Sequence, residues 1–292
     1  MNFWAAVKKN RAMSLLWTTY NEFYEDNSTM LAAAVAYSLL FSLFPFALVM
    51  ISLAGYMMSS PEIESQVIAA MGTLIPVAKG LIVNTLETVI KAREATGIIA
   101  LLLLVWSALT FFDALRNSLN RAWGMPSGHT YVRGRLVDVS MLALAVLGLV
   151  VFTWLTTTVH FMHESGMQIW IFRFTKTSLF ARLVFALFSA ALAYGVILLL
   201  YRFVPVNQPG WKHIWLGALL AAIGFEIVRF AFVWWVKNVA QYSLVYGPIS
   251  SVIVLLMFIY FTAWVLLFFA KFSYVKMRRD EKGRLTAGTS GG

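Results

Sequence analysis

The sequence predicts an all-α fold, a polytopic membrane helix bundle of about six transmembrane helices with amphipathic helices at its surfaces. Two observations predict it. Of 292 residues, 60% are hydrophobic and only 12% are charged, against about 25% charged in a soluble domain. The apolar residues also arrive in long blocks, such as Ile98 to Phe112, Val139 to Val159 and Leu183 to Tyr201, and the mean hydropathy is +0.76. A hydrocarbon layer about 30 Å thick needs roughly 20 such residues as a helix, because each backbone polar group must be satisfied within its own segment.

The elements follow in order. Met13, Leu16, Trp17, Tyr20, Phe23 and Tyr24 recur at helical spacing beside Lys8, Lys9 and Arg11, the pattern of a helix lying in the cytoplasmic interface. No short apolar run with a small-residue cleavage site follows the basic residues, so a cleaved signal is not expected. Asp26, Asn27 and Ser28 then supply stop and N-cap chemistry. Spanning helices are expected at about 30–57, 97–115, 138–161, 182–203, 212–236 and 249–271. Between the first two, Ile63, Val67, Ala70, Met71 and Leu74 line one helical face. After Pro76, Leu81, Ile82, Leu86, Val89 and Ile90 line another, so residues 61–95 read as two short amphipathic helices on the outer face. Pro248, after Tyr246 and Gly247, suits the first position of the last helix. The division is an interfacial segment, 1–27, a six-helix membrane domain, 28–275, and a basic cytoplasmic tail, 276–292, expected to be disordered.

The net charge of +10 could suggest nucleic-acid binding, but it follows loop sidedness instead. With the N-terminus inside, the cytoplasmic segments hold fifteen of the 23 basic residues and the outer segments seven, with Arg229 inside a helix. The excess of lysine and arginine on one side favours both termini in the cytoplasm. Lipids are then the expected partners, and nucleic acid is not. Cysteine is absent, which excludes disulfides and thiolate metal sites.

Several segments resemble the YihY/BrkB family of bacterial inner-membrane proteins. They are Leu31-Ala-Ala-Ala-Val-Ala-Tyr-Ser-Leu-Leu-Phe-Ser-Leu-Phe-Pro45, Phe111-Phe-Asp-Ala-Leu-Arg-Asn-Ser-Leu-Asn-Arg-Ala-Trp123 and Tyr201-Arg-Phe-Val-Pro205. Trp215-Leu-Gly-Ala-Leu-Leu followed by Phe225-Glu226, and Tyr246-Gly247-Pro248-Ile249, complete the set. The anchors occur in family order over residues 20 to 275, and the specificity lies in that order. The resemblance implies six membrane helices in the bacterial inner membrane and no settled activity. Some members were once labelled ribonuclease BN, and others are linked to resistance to host killing or to lipopolysaccharide handling. Members often read Gly-Ala-Glu near the end of the last helix, where this chain has Phe269-Ala270-Lys271. A role resting on that carboxylate is not carried over.

The residues that could bear chemistry are few. Glu226 and Arg229 lie near the middle of the fifth spanning helix, three residues apart and so on one face. A charge at that depth costs about 2.5–3.5 kcal/mol on insertion scales, so such residues face a bundle interior or a wet cavity. They form either an ion pair that fixes packing or a proton-coupling and headgroup-binding site. Tyr37, Ser38 and Ser42 form a polar patch before Pro45. Pro45 frees the carbonyl of Phe41 and bends the helix, so the hydroxyls either satisfy freed groups or line a substrate path. Asp113 stands three residues before Arg116, and Arg116, Arg121, Arg133 and Arg135 would face anionic headgroups at about 1 kcal/mol each. His160, His163 and Glu164 are at the outer end of a helix with no further histidine nearby, so they read as interfacial residues rather than metal ligands. Neither a metal nor a cofactor is expected. Gly217, Ala218, Ala221 and Ala222 offer a small-residue face for close helix contact, including contact with a second copy.

A hydrolase or nuclease needs clustered carboxylates or histidines. The acidic residues here are scattered, so the chain is not expected to be an enzyme. A channel would show a ring-forming filter or a repeated charged stripe, and neither is present in the sequence. Transport or flipping of a lipid or other amphiphilic envelope substrate fits the kinked helix, the charged pair and the interfacial elements. A non-transporting envelope scaffold or assembly factor is the competing class. The sequence has no ATP-binding loop, so energy for transport would come from an ion gradient, a lipid gradient or a partner.

Overall fold

A computed structural model describes residues 11–57, 93–125, 132–147, 179–206, 208–238 and 249–289. Among these the only regular secondary structure is α-helix. The helices are α1 (Arg11–Glu25), α2 (Ser28–Met57) and α3 (Arg93–Ala122), α4 (132–147), then α5 (Leu179–Phe203), α6 (Trp211–Asn238) and α7 (Ile249–Thr289). Four stretches among them are long and apolar enough to cross a bilayer: Ser28–Phe46, Ile99–Ala122, Trp211–Val236 and Val252–Lys282. Ala190–Phe203 of α5 is a shorter apolar helix. Of the six expected spans, 148–161 of the third lies outside the described residues. So do 61–92 of the outer amphipathic pair, His160, His163, Glu164 and the Tyr242–Pro248 turn.

The chain divides into two compact units. One comprises Met1–Asp26, Leu119–Glu226 and Leu266–Gly292, and the other Asn27–Ser118 and Ile227–Val265.

In the first unit, α1 stops where the sequence places its stop. Asp26 N–H closes the last turn on Glu22 O at 3.0 Å, and Asn27 takes a left-handed φ of 54°, a conformation asparagine tolerates because its short side chain can bond locally. α1 packs by its Thr19 and Phe23 side, both fully buried, and leaves Met13, Leu16, Trp17, Tyr20 and Tyr24 exposed. Phe23 therefore leaves the expected outward stripe. It meets Phe268 of α7 edge-on, with ring centroids 5.5 Å apart.

The end of α3 shows how closely α7 is approached. Gly124 N–H donates to Arg121 O and Met125 N–H to Asn120 O, each at 2.9 Å, the paired bonds of a helix end capped by a left-handed residue. Gly124 has φ +72°, and a Cβ there would lie 2.5 Å from the Tyr274 ring. Glycine is required twice over, by the backbone angle and by the ring. Asn120 Oδ1 accepts from Val206 N–H at 3.0 Å, joining this end to the turn after α5. That turn is closed by Arg202, whose guanidinium donates to Gln208 O at 2.5 Å and Pro209 O at 2.9 Å and lies 5.7 Å over Trp211. Higher on α5, buried Tyr201 donates its hydroxyl to Leu266 O at 2.5 Å.

The small-residue face of α6 is used within the chain. Ala218 and Ala221 are fully buried and Ala222 nearly so. A Cβ on Gly217 would fall 1.8 Å from Ser273 Oγ and 2.8 Å from Phe269 O of α7. Close helix approach needs small residues, and at Gly217 it is α7 that makes that approach.

α7 also runs further than expected. The segment from residue 276, read as a disordered tail, is helical through Thr289. Three of its cations have partners: Arg278 pairs with Glu22, Arg279 donates to Ser14 O at 3.0 Å and Thr18 Oγ1 at 2.6 Å, and Lys276 lies 5.9 Å over Trp215.

In the second unit, Met30 and Leu31 N–H groups bond to Asn27 O at 3.0 and 3.2 Å, opening α2. Phe41 of α2 meets Trp106 of α3 edge-on at 6.2 Å, and Phe232 of α6 meets Phe258 of α7 at 4.9 Å.

Replacing Gly217 with alanine should lower stability by about 1–3 kcal/mol, the usual cost of overpacking, read as an earlier thermal transition in detergent. Gly217→Ala with Ser273→Gly should recover part of that loss and not all of it, because the Phe269 carbonyl remains in the way.

Candidate functional site

The apolar span of α6 covers 26 residues, about 39 Å at 1.5 Å per residue. Glu226 falls just past its midpoint, with Arg229 three residues further along the same helix. Both side chains are half-buried, and Glu226 Oε1 is closed off from solvent. Glu226 is the last α6 residue of the first unit, and Arg229 belongs to the second.

The α2 patch lies in the second unit. Tyr37 is 66% exposed and stacks on Phe41 at 6.3 Å. Ser38 is half-buried, while Ser42 and Pro45 are buried. Ser42 Oγ donates to Leu39 O at 2.7 Å, so this hydroxyl serves the carbonyl of Leu39. α2 continues as helix through Pro45.

The four arginines expected at headgroups divide into two kinds. Arg121 and Arg133 are exposed and remain open to an anionic surface. Arg116 is buried, ion-paired to Asp113 as their spacing predicts, and donates to Asn117 Oδ1 at 3.1 Å. Arg135 is half-buried and 3.7 Å from the fully buried Asp138. Arg116 is thus held inside the protein by Asp113, while Arg135 shares its charge with Asp138 and keeps 42% of its side chain exposed.

Sequence reasoning missed one cluster altogether. Lys271, counted there as a flanking cytoplasmic charge, is buried with 4% of its side chain exposed. Its Nζ lies 2.6 Å from Asp26 Oδ2 and 3.4 Å from Glu22 Oε2. Glu22 also pairs with Arg278. Lys271 and Arg278 both stand over the Tyr274 ring, at 5.0 and 5.5 Å, within the range of cation–π attraction. Two cations thus meet two carboxylates, and the cluster is neutral. The one sequence signal was that Lys271 is a lysine placed inside an otherwise apolar and aromatic run. Among the described residues no group of three or more metal-ligating side chains is gathered.

A family profile described as "Virulence factor BrkB" matches residues 19–289, nearly the whole chain. The protein belongs to the BrkB family. Curated relatives carry the name UPF0761 membrane protein. One from Xanthomonas campestris pv. campestris strain B100 is 26% identical over 271 residues, covering 91% of this chain and 61% of the relative. Another, from Alteromonas mediterranea, is 25% identical over 256 residues, covering 85% and 83%. A third, from Xanthomonas axonopodis pv. citri, is 25% identical over 265 residues. This BrkB-family chain spans about three fifths of the length of the Xanthomonas relatives. No solved structure matches it. Family membership and the long apolar helices make it an integral, multi-pass membrane protein.

Removing the ammonium at the buried cluster, in Lys271→Met, leaves Asp26 and Glu22 with only Arg278 between them. Loss of one partner from a buried pair costs about 3–5 kcal/mol, and the low end is expected because Asp26 is 32% exposed. Hydrogen exchange should rise across residues 11–26 before it rises elsewhere. Lys271→Glu combined with Asp26→Lys should return part of the protection.

Proposed function

We propose that this BrkB-family protein moves a lipid or other amphiphilic envelope substrate with an anionic headgroup across the bacterial inner membrane, without catalysing a chemical reaction. The observation that carries this reading is the placement of Glu226 just past the middle of an apolar span, with Arg229 three residues on and both half-buried. Charge at that depth is expensive to keep, and intramembrane ionisable residues ordinarily mark substrate or proton paths. Arg229 is suited to a phosphate oxygen through its planar fork, and Glu226 to carrying a proton in step with the substrate. Separately, within the second unit, Tyr37 and Ser38 ahead of Pro45 are groups that can exchange hydrogen bonds with a headgroup. The excess of basic residues on one side supports both termini in the cytoplasm, where Arg121 and Arg133 would rest against anionic lipid.

Purified protein reconstituted into vesicles holding a fluorescent phospholipid should speed its passage between leaflets. Glu226→Gln should slow that passage about tenfold or more, since a bond to a charged group is worth about 1.5–3 kcal/mol and each 1.4 kcal/mol is a factor of ten. Equal rates in protein-free and wild-type vesicles would overturn transport and leave the scaffold reading in its place.

A further inference from the structure

Asn120 and Trp123 stand three residues apart at the end of α3, on one side of the helix, and each is only 1% exposed. The orientation of the Asn120 amide is settled by chemistry. Val206 N–H, 3.0 Å away, can only donate, so the oxygen faces it and Nδ2 points elsewhere. Neither Asn120 Nδ2 nor Trp123 Nε1 has an acceptor among the described residues, and both atoms are shut off from solvent. An unmet buried donor costs about 1–3 kcal/mol, and more than nine in ten buried polar groups have a partner. Two such donors one turn apart point to a common missing acceptor.

The surroundings narrow what that acceptor is. Trp123 packs edge-on against Tyr274 at 6.4 Å, and the charged groups over Tyr274 are Lys271 and Arg278, which donate and do not accept. Gly124 brings the backbone against the same ring. The place has an aromatic wall, and the two cations over that wall are already paired with Asp26 and Glu22.

We infer that the end of α3 encloses a binding site for one hydrogen-bond-accepting oxygen, held jointly by Asn120 Nδ2 and Trp123 Nε1. A water sealed into the protein supplies such an oxygen, and so does the phosphate or ester group of a phospholipid. The inference rests on these two donors alone and stands independently of transport.

The test removes only the indole N–H. In the full-length protein, Trp123 is replaced by its benzothienyl analogue, which keeps the ring shape and lacks the donor. Thermal unfolding is then followed in delipidated detergent and after addition of phosphatidylglycerol–phosphatidylethanolamine vesicles. A site of this kind gives the analogue a lower Tm. A loss in both conditions assigns the oxygen to water, and a loss only with lipid assigns it to a headgroup. An unchanged or raised Tm in both conditions overturns the site, since deleting an unmet donor costs nothing. Should the analogue fail to fold, the wild-type indole resonance of Trp123, assigned by its disappearance in Trp123→Phe, decides the matter. A downfield N–H proton marks an acceptor, and an upfield one overturns the inference.

Discussion

The ammonium of Lys271, lodged 2.6 Å from Asp26 and 3.4 Å from Glu22, fastens α1 to α7. Much of the first unit is arranged around that contact. Burying a lone charge in apolar surroundings is prohibitive, and even a pair recovers its desolvation only when geometry is good and the remaining lone pairs are met. Here the problem is eased in three ways. The carboxylates keep part of their surface in water, Arg278 balances the second negative charge, and the Tyr274 ring offers its face to both cations. Phe23 and Phe268 close one side of the cluster, and Arg279 continues the attachment along α1.

The residues of α7 just past Lys271 set where other helices must come close. Ser273 faces Gly217 of α6, and Tyr274 faces Gly124 at the end of α3. Apolar surface gives no drive for association among lipid tails, so contact depends on close backbone approach and on polar bonds. A single turn of α7 supplies both. Its lysine holds α1, its serine occupies the gap left by one glycine, and its tyrosine covers the other.

Four of the helices were legible in the sequence because their apolar runs are as long as a bilayer is thick, and the α1–α2 break was legible because asparagine accepts the left-handed turn. Local pairing was legible for the same reason: Asp113 and Arg116 are three residues apart. The Lys271 cluster was hidden, since its partner Asp26 is 245 residues away in the chain and no local pattern joins them. The same blindness made the end of α7 read as a loose basic tail, when Arg278 and Arg279 are held by α1. Periodicity alone also left Phe23 on the exposed stripe, because residues at a stripe's edge can turn either way until a neighbour such as Phe268 decides. The small face of α6 announced close contact without saying with what. Glu226 and Arg229 were found from composition alone, since two charges inside so apolar a helix stand out without any fold.

The attachment of α1 to α7 also bears on how the protein is made. Asp26 leaves the ribosome 245 residues ahead of Lys271, so α1 has no ionic partner on α7 while the residues between them are made. α1 therefore docks only once α7 has emerged, and its docking reports that α7 is in place.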